Sequence, residues 1–298
     1  MRTPSGPARC ASWRPRPRLR ASPPEAAAIR TIVHLSDLHF GKVDPELLEP
    51  LRRCVEAIAP HLVVVSGDLT QRAKAAEFRA AKTFLDTLPK PQLVVPGNHD
   101  VPLYNVFQRF LTPLRKYKRI ITPDLEPAYI DDEIAVVGVN TARSLTFKDG
   151  NVNSAQIAAV KARICGLHES VAKIIVTHHP FDVPEDHDES AMVDHAARAM
   201  EVFASCGADI MLSGHLHKTN TSSSSERYKI PGHAALIVQA GTATSVRGRG
   251  ESNSFNALHL TPEGVSIECW QWNNHSKVFE LGGTERFLHA ADGWHRPK

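Results

Sequence analysis

The sequence lacks the features that mark membrane, secreted and common nucleotide-binding proteins. It contains no run of 18 apolar residues, so we expect no membrane-spanning helix. Its five cysteines are odd in number and include no C-x-x-C pair, which argues against a disulfide framework and favours a reducing, cytoplasmic compartment. Without a G-x-S-x-G, Walker A or G-x-G-x-x-G motif, the sequence gives no support to a serine hydrolase or a phosphate-loop enzyme.

The body of the chain also lacks a positive net charge. Residues 1–30 hold seven arginines and one acid, and the rest of the chain has 28 basic and 31 acidic residues. A basic body is the usual mark of a duplex-binding domain, so we expect no nucleic-acid partner. Residues 1–29 hold six prolines and are expected to form a disordered tail. An organelle transit peptide or an upstream start-site extension would fit the same composition.

Alternating strand and helix patterns begin near residue 30. Nine short apolar runs are predicted as strands: 31–36, 62–65, 93–95, 134–139, 173–176, 209–212, 235–240, 255–260 and 265–272. Helical patterns separate the first six, which predicts parallel strands with right-handed crossovers, whereas the last three are expected to be antiparallel. A Thr/Ser-rich loop is expected at 219–227.

We therefore predict one α/β domain over residues 30–283, followed by a C-terminal tail at 284–298. The first half reads as alternating strands and helices and the last quarter is strand-rich, yet polar clusters of one kind occur on both sides of the middle. This pattern favours a single four-layer α/β/β/α sandwich, in which two mixed sheets pack together with helices outside. The functional site is expected at the carboxyl ends of the strands.

Five of the predicted strands end in clusters of Asp, Asn and His that contain no cysteine. These clusters are Ser36-Asp37-Leu38-His39, Ser66-Gly67-Asp68, Gly97-Asn98-His99-Asp100, Thr177-His178-His179-Pro180 and Ser213-Gly214-His215-Leu216-His217. Because parallel strands place their carboxyl ends at one sheet edge, we expect the clusters to meet. In the Asp-x-His and His-x-His pairs, extended backbone would point both polar side chains to the same side.

Carboxylate, amide and imidazole groups are ligands for Mn, Fe or Zn rather than for metals that select thiolates. Seven side chains are candidate ligands: Asp37, His39, Asp68, Asn98, His178, His215 and His217. Seven ligands are too many for one tetrahedral zinc. The number suits two divalent metal ions that share one carboxylate.

In their order along the chain and in their residues, the five clusters resemble the sequence blocks of the calcineurin-like metallophosphoesterase superfamily. The resemblance covers residues 31–280 and is most similar to the bacterial class III cyclic-nucleotide phosphodiesterases. It implies that one metal is held by Asp37, His39 and His217 and the other by Asn98, His178 and His215. It further implies that Asp68 bridges the metals, that His99 faces the scissile phosphate, and that Asp100 fixes the tautomer of His99.

The resemblance implies a phosphodiesterase that cleaves 3′,5′-cyclic nucleotides or related small phosphodiesters by in-line attack of a metal-bridging hydroxide. The alternatives left open are a phosphomonoesterase, a nucleotide-sugar lipid pyrophosphatase and a non-catalytic metal-binding scaffold. Surrounding loops select the substrate in such folds, and His179, Arg247 and Arg249 are the candidate substrate-binding residues. If the chain forms a homodimer, its β-rich C-terminal region is the segment expected to supply the contact.

Overall fold

The structure is a computed structural model of the chain and describes residues 30–103, 106–143, 149–184, 188–246, 250–290 and 293–297. Its strands are β1 (Arg30–Leu35), β2 (Leu62–Ser66), β3 (Gln92–Val95), β4 (Ala128–Ile130), β5 (Ile134–Gly138), β6 (Ala172–Val176), β7 (Ile210–Ser213), β8 (Asn220–Ser223), β9 (Leu236–Gln239), β10 (Ser254–Thr261), β11 (Gly264–Asn273), β12 (Val278–Ala290) and β13 (Gly293–His295). Its helices are α1 (Pro45–Ile58), α2 (Ala75–Thr87), α3 (Val106–Leu111), α4 (Arg115–Ile120), α5 (Ser154–Ile164), α6 (Ala196–Ser205) and α7 (Ser224–Arg227). None of these helices is both long and apolar enough to cross a membrane.

The strands form two mixed sheets. The first sheet has the order β13-β12-β11-β10-β1-β2-β3, and the second has the order β4-β5-β6-β7-β9-β8. Strands β1 to β3 are parallel neighbours in the first sheet, and β5, β6, β7 and β9 are parallel neighbours in the second. Each parallel group therefore places its carboxyl ends along one edge of its sheet.

Both sheets are buried on two faces, which explains the continuous apolar runs in their central strands. Val64 of β2 and Ile174 of β6 lie in one buried cluster between the sheets. Their neighbours Val63 and Ile175 lie in separate clusters beneath the outer helices. Because adjacent residues of a strand point to opposite faces, a strand covered on both sides has no polar position. The predicted four-layer α/β/β/α sandwich is confirmed.

Helix α1 shows how local sequence sets the limits of an element. Asp44 precedes it, and the side chain of Asp44 accepts a hydrogen bond from the backbone N–H of Glu46. Pro45 occupies the first turn, where its missing N–H costs nothing. The helix ends before Ala59, which adopts a left-handed conformation, and Pro60. Its buried stripe consists of Leu47, Leu51 and Val55.

The C-terminal region corrects the expectation of a tail at 284–298. Strand β12 runs on through residue 284 in antiparallel pairing with β11, and β13 pairs with β12. Phe287 and Trp294 from this segment are buried in the cluster between the sheets. Most other side chains of β12 are exposed, so the apolar pattern does not reveal the strand. Main-chain hydrogen bonds and these two aromatic side chains hold it in the sheet.

Three further features differ from the sequence-based expectations. Residues 219–227, expected to be a loop, form β8 and α7, and β8 pairs with β9 as an edge strand. Strand β9 is antiparallel to β8 as expected for that region, but it is parallel to β7.

Cys165, just after α5, and Cys206, just after α6, form a disulfide that cysteine spacing did not predict.

Candidate metal centre

The five polar clusters follow β1, β2, β3, β6 and β7 and come together at the carboxyl ends of these strands. All seven side chains that we predicted as metal ligands lie there: Asp37, His39, Asp68, Asn98, His178, His215 and His217. Asn98 and His215 are partly exposed, and the other five are buried. Their contacts divide them into two sets joined by one carboxylate.

The first set consists of Asp37, His39 and His217. His217 Nε2 lies 3.2 Å from Asp37 Oδ1 and 3.2 Å from His39 Nε2. His39 Nε2 lies 3.4 Å from Asp37 Oδ1. Ligand bonds of about 2.1 Å at tetrahedral angles would place ligand atoms roughly 3.4 Å apart. The three atoms are therefore spaced as ligands of one metal ion would be.

The second set consists of Asn98, His178 and His215. His178 Nε2 lies 3.0 Å from Asn98 Oδ1 and 3.3 Å from His215 Nδ1. The set combines two imidazole nitrogens with an amide oxygen, which suits a borderline divalent ion. His215 contributes Nδ1 and His178 contributes Nε2, so the two rings approach the same point from different sides.

Asp68 lies between the two sets and faces each with a different oxygen. Its Oδ2 is 3.6 Å from His39 Nε2, and its Oδ1 is 3.4 Å from His178 Nε2. A carboxylate in this position contacts both groups of ligands at once. This is the arrangement that a bridging ligand between two metal ions requires.

The donor set fits divalent cations because it gathers lone pairs that the protein itself does not satisfy. Asp37 Oδ1 is buried and accepts no hydrogen bond that meets normal geometry from any described residue. The nitrogens closest to it belong to His39 and His217, which are also candidate ligands. A buried carboxylate oxygen without a donor is costly, and a metal ion at this point would remove the cost.

The carboxylates and histidines of the site stabilise one another's charged forms. Burial favours the neutral form of Asp68, but His178, His99 and His39 outweigh it and hold the pKa of Asp68 well below its usual range. Burial lowers the pKa of His178, yet the carboxylates of Asp68 and Asp37 raise it to about 9. Buried carboxylates that stay ionised give the site a negative potential, which attracts cations.

Two serines that precede the ligands orient them, and the sequence analysis assigned these serines no role. Ser36 Oγ donates a hydrogen bond to Asp37 Oδ2 at 2.7 Å. The carbonyl oxygen of Ser66 accepts a hydrogen bond from His178 Nδ1 at 2.8 Å. Because Nδ1 of His178 is the donor, Nε2 is the nitrogen that faces the second set, and it would bind a metal after losing its proton. Only Ser36 acts through its side chain, so the signal in the sequence was the serine directly before Asp37, whereas the carbonyl of residue 66 gives none.

The backbone of the ligand residues corrects the reason that we gave for their convergence. We expected extended backbone to align the Asp-x-His and His-x-His pairs. Instead, five ligands adopt positive φ angles between 49° and 73°: Asp37, His39, Asp68, His215 and His217. Residues other than glycine rarely adopt positive φ angles, and those that do are often found at functional sites. Left-handed turns, rather than strand alternation, aim these side chains inward.

Two glycines allow the loops of the site to approach one another closely. A Cβ atom on Gly97 would overlap the carboxylate and the backbone nitrogen of Asp68. A Cβ atom on Gly214 would overlap Ser36 Oγ and approach Asp37 Oδ2. The glycine in each motif is therefore required by the contact between two ligand loops.

The structure corrects the role expected for Asp100. Its carboxylate accepts hydrogen bonds from the backbone N–H groups of Gly97, Leu69 and Thr70 and from the Thr70 hydroxyl. The ring of His99 instead donates from Nδ1 to the carbonyl oxygen of Gln71 at 2.9 Å. Asp100 therefore ties two ligand loops together, and the backbone of Gln71 sets the tautomer of His99.

His99 lies beside the two ligand sets without joining either of them. Its backbone N–H donates to Asp68 Oδ1 at 2.9 Å, and its ring lies edge-on to His39 with a centroid separation of 4.9 Å. Because Nδ1 is held by Gln71, any contact of the ring with a substrate would be made through Nε2. The role of His99 beside the scissile phosphate stays a prediction.

The remaining predicted substrate residues have different outcomes. His179 is buried, with Nδ1 2.8 Å from Thr141 Oγ1, and its ring centroid is 4.6 Å from that of His215. Its ring nitrogen lies close enough to those of His178 and His215 for the three to hold one metal ion, so His179 is a further candidate ligand. Arg247 and Arg249 lie outside the described residues.

Comparisons with known sequences agree with this geometry. The family model for calcineurin-like phosphoesterases matches residues 30–219. The uncharacterised protein YpbG of Bacillus subtilis is 30% identical over 63% of this chain and 61% of its own length. A UDP-2,3-diacylglucosamine pyrophosphatase, LpxG of Chlamydia muridarum, is 36% identical over 24% of this chain and 23% of its own. A glycerophosphodiester phosphodiesterase, GpdQ of Enterobacter lignolyticus, is 32% identical over 28% of this chain and 33% of its own.

Solved structures show the same fold. A purple acid phosphatase, PPD1 from yellow lupin, superposes on 87% of this chain and 54% of its own length with a TM-score of 0.68 and 10% identity. A dimetal phosphatase from Danio rerio superposes on 80% of this chain and 95% of its own length with a TM-score of 0.56 and 14% identity. The alignments with YpbG, LpxG and GpdQ each cover less than two thirds of the relative's own length. By its match to the family model over residues 30–219, the chain belongs to the calcineurin-like phosphoesterase family.

Proposed function

We propose that the protein is a two-metal phosphodiesterase that hydrolyses 3′,5′-cyclic nucleotides or related small phosphodiesters. The observation that carries the proposal is the position of Asp68, whose two oxygens face two different sets of ligands. A single structural metal would not need a second set or a shared carboxylate. Two divalent ions held in this way polarise phosphoryl oxygens and lower the pKa of a water molecule toward neutral.

The proposed ligand roles follow the contacts. Asp37, His39 and His217 would hold one ion, and Asn98, His178 and His215 would hold the other. Manganese, iron and zinc all suit this mixture of oxygen and imidazole ligands. The hydrogen bonds to Asp37 from Ser36 and to the Ser66 carbonyl from His178 keep the ligand atoms oriented before any ion binds.

His99 is the residue proposed to handle the leaving group. Its Nδ1–H is engaged by Gln71, which leaves Nε2 to bind a phosphoryl oxygen or, when protonated, to give a proton to the departing alkoxide. General acid catalysis of this kind contributes on the order of 10²–10⁴ in rate. The two serines beside the ligand sets are fully buried, with the hydroxyl of Ser36 held by Asp37 and that of Ser66 by His34, so the proposal includes no covalent phosphoenzyme.

Two of the relatives support different substrate classes. GpdQ is a phosphodiesterase by name, which favours the main proposal, whereas LpxG is a pyrophosphatase and favours the alternative. A phosphomonoesterase and a metal-binding scaffold stay as further alternatives. All four would share the metal centre, so only turnover of matched substrates separates them.

The test compares three substrates on one preparation that is stripped of metal and reloaded with Mn²⁺. These are bis(p-nitrophenyl) phosphate, p-nitrophenyl phosphate and a nucleoside diphosphate sugar. The proposal expects diester cleavage well above the other two, followed by turnover of cyclic AMP or cyclic GMP. Preference for the monoester or the pyrophosphate would replace it with the corresponding alternative. Two bound metals without any turnover would favour the scaffold.

A matched pair of variants links the activity to the bridging carboxylate. Asp68→Asn keeps the size of the side chain but removes its charge, so we expect loss of metal and a fall in turnover of at least about 100-fold. Asp86→Asn makes the same change at an exposed position on α2 and should leave both properties unaltered. Normal metal content and activity in Asp68→Asn would refute the bridging role.

A further inference from the structure

Helix α3 exposes three of its apolar side chains and buries its one charged side chain. Phe107 is 80% exposed, Phe110 is 51% exposed and Leu111 is 76% exposed. Arg109, in the same helix, is only 4% exposed, and its Nη1 donates to the carbonyl oxygen of Pro102. A surface helix normally buries its apolar face, so this reversal leaves an apolar surface that water alone does not favour.

The exposed apolar side chains lie on one face of the helix. Phe107, Phe110 and Leu111 are three or four residues apart, which places them side by side along α3. Leu103, at the start of the same segment, is 38% exposed. We call these four residues the apolar patch. Single exposed apolar residues are ordinary, but four large ones within nine positions of the chain are not.

The apolar patch lies at the edge of the fold that carries the metal centre. It begins three residues after Asp100, which closes the Asn98–Asp100 turn that supplies a ligand of the second set. Leu111 also lines a cavity of about 600 Å³, whose far wall includes Asn140 and Arg143 beyond the end of β5. Strand β5 packs against β3, because Gly138 lies against Val95.

A cationic rim, formed by exposed side chains of α4, follows the apolar patch in the chain and borders it at Leu111. Residues 101–123 contain five basic residues and no acidic residue. Arg115, Lys118 and Arg119 of α4 are exposed, and the structure shows no ion pair between them and any described residue. Tyr117 is the buried side chain of that helix, which turns the three cations outward. Arg115 and Lys118 line the same cavity as Leu111.

Apolar side chains bordered by unpaired cations match the chemistry of an anionic lipid surface. Aromatic and aliphatic side chains enter the boundary between headgroups and acyl chains, and each nearby Lys or Arg adds attraction to anionic lipid. A neutral apolar partner would gain nothing from the cations. An acidic soluble partner would use the cations, but it would gain nothing from Phe107 and Leu111, which are exposed and do not line a groove.

We propose that α3, α4 and Leu103 form a face that docks reversibly on anionic membranes and thereby presents the metal centre to phosphoester groups at the bilayer surface. The docking itself is independent of catalysis, whereas the presentation of substrate rests on the proposed function. The contact is peripheral, since three exposed side chains from a six-residue helix reach no deeper than the boundary between headgroups and acyl chains.

The test measures co-sedimentation of the full chain with vesicles of phosphatidylcholine alone and of phosphatidylcholine mixed with phosphatidylglycerol. We expect binding to the mixed vesicles only, weakening as salt is added. Phe107→Ser combined with Leu111→Ser should reduce the vesicle affinity about tenfold or more, and Arg115→Glu combined with Lys118→Glu should abolish the preference for anionic lipid. Leu281→Ser and Arg286→Glu are controls at exposed positions of β12, near the end of the first sheet opposite β3, and should leave binding unaltered.

The arginines of residues 1–29 are unchanged in every variant, so differences between variants report the apolar patch and its rim. Equal vesicle binding by the wild type and both double variants would assign the attraction to those arginines and overturn the proposal. Dimers in solution that dissociate only in the Phe107→Ser and Leu111→Ser variant would also overturn it, because a second copy would then cover the patch.

Turnover of bis(p-nitrophenyl) phosphate in solution separates the docking proposal from the proposed function. The patch substitutions touch no candidate ligand, so we expect them to keep this turnover while they lose vesicle binding. If the wild type fails to bind vesicles but shows normal turnover, the docking proposal is overturned and the proposed function stands. Vesicle binding that follows the pattern above, in a protein without turnover, would overturn the proposed function and leave the docking face standing.

Discussion

The Nδ1 atom of His178 donates to the carbonyl oxygen of Ser66, which belongs to the other sheet. This hydrogen bond joins the end of β6 to the end of β2 and fixes which ring nitrogen of His178 faces the candidate metals. Asp68, two residues after Ser66, then meets His178 Nε2 at 3.4 Å. One contact between the sheets therefore sets both the spacing of the sandwich edge and the protonation pattern of a ligand.

Replacement of His99 by alanine should slow the reaction without removing metal. The ring of His99 is held by Gln71 and belongs to neither ligand set, so the metal content should stay at the wild-type level. We expect turnover to fall by about 10²–10⁴, with the greatest loss for substrates with poor leaving groups. Metal analysis together with rates for a series of aryl diesters measures both effects.

His275→Ala removes an exposed histidine and serves as the control for His99→Ala. A loss of rate that is equal for good and poor leaving groups would argue against proton donation. Reduced metal content in His99→Ala would instead place His99 among the ligands.

Replacement of Asp100 by asparagine should act on stability. Asp100 is buried and accepts four hydrogen bonds that connect the Gly97 loop to residues 69 and 70. An amide NH₂ in its place would face N–H donors, so we expect the free energy of unfolding to fall by about 2–4 kcal/mol. Urea unfolding of Asp100→Asn and of the exposed control Asp86→Asn measures the difference.

The two candidate roles of Asp100 leave different traces in the kinetics. If it only ties the loops together, the residual activity of Asp100→Asn should not depend on the leaving group. Unchanged stability combined with a leaving-group effect like that of His99→Ala would restore the tautomer role that the sequence suggested.

The meeting of the five clusters could be predicted from the sequence because each follows a strand that is mostly apolar. Runs such as Leu62–Val65 identify buried parallel strands, and their carboxyl ends share an edge. The reason for the convergence could not be predicted, since φ angles of 54° at Asp37 and 60° at His217 depend on contacts between loops distant in sequence. The same limitation hid the link between Asp100 and Thr70, which joins two strand ends.

The C-terminal strands could not be predicted because their stabilisation is mostly main-chain. In β12 only Phe279 and Phe287 are buried, so the alternation that marks a strand is too sparse to detect. The reversed pattern of α3 has a different cause. Local sequence shows that Phe107, Phe110 and Leu111 form a stripe, but only the fold shows that the stripe faces outward.

The buried His34 should make stability depend on pH. Burial lowers the pKa of His34 to about 3, and the nearby Asp37 offsets only part of this effect. The unfolded chain binds the proton near pH 6.5, so the unfolded state gains protons as pH falls below 6.5 while the folded state does not. The contribution of His34 is therefore present above pH 6.5 and is lost progressively toward pH 3.

His34→Asn removes this titration, and other ionisable groups are common to both proteins. With metal chelated in both samples, the unfolding free energy of the wild type should fall relative to that of the variant by about 1.4 kcal/mol between pH 7.5 and pH 5.5. Urea unfolding at the two pH values measures the change. A difference that does not vary with pH would show that His34 titrates normally in the folded protein.

The loops that carry Asp37 and His215 approach each other closely at Gly214. Ser36 Oγ and Asp37 Oδ2 occupy the space where a Cβ on Gly214 would lie, and the backbone N–H of His215 donates to the same Asp37 oxygen. Gly214→Ala must therefore push these loops apart and displace a ligand from each set. We expect the affinity for Mn²⁺ to fall by at least about tenfold, with activity recovered in part at high metal concentration.

Gly166→Ala is the matched control, because a Cβ at Gly166 meets no atom within 4 Å. Metal titration of the two variants, followed by calorimetry or by the activity on bis(p-nitrophenyl) phosphate, separates a local effect from a general one. Equal Mn²⁺ affinities would mean that the ligand loops move apart without cost, and that the spacing between Asp37 and His215 does not control metal binding. A selective loss in Gly214→Ala would tie the glycine of the Gly-His-x-His motif directly to the geometry of both ligand sets.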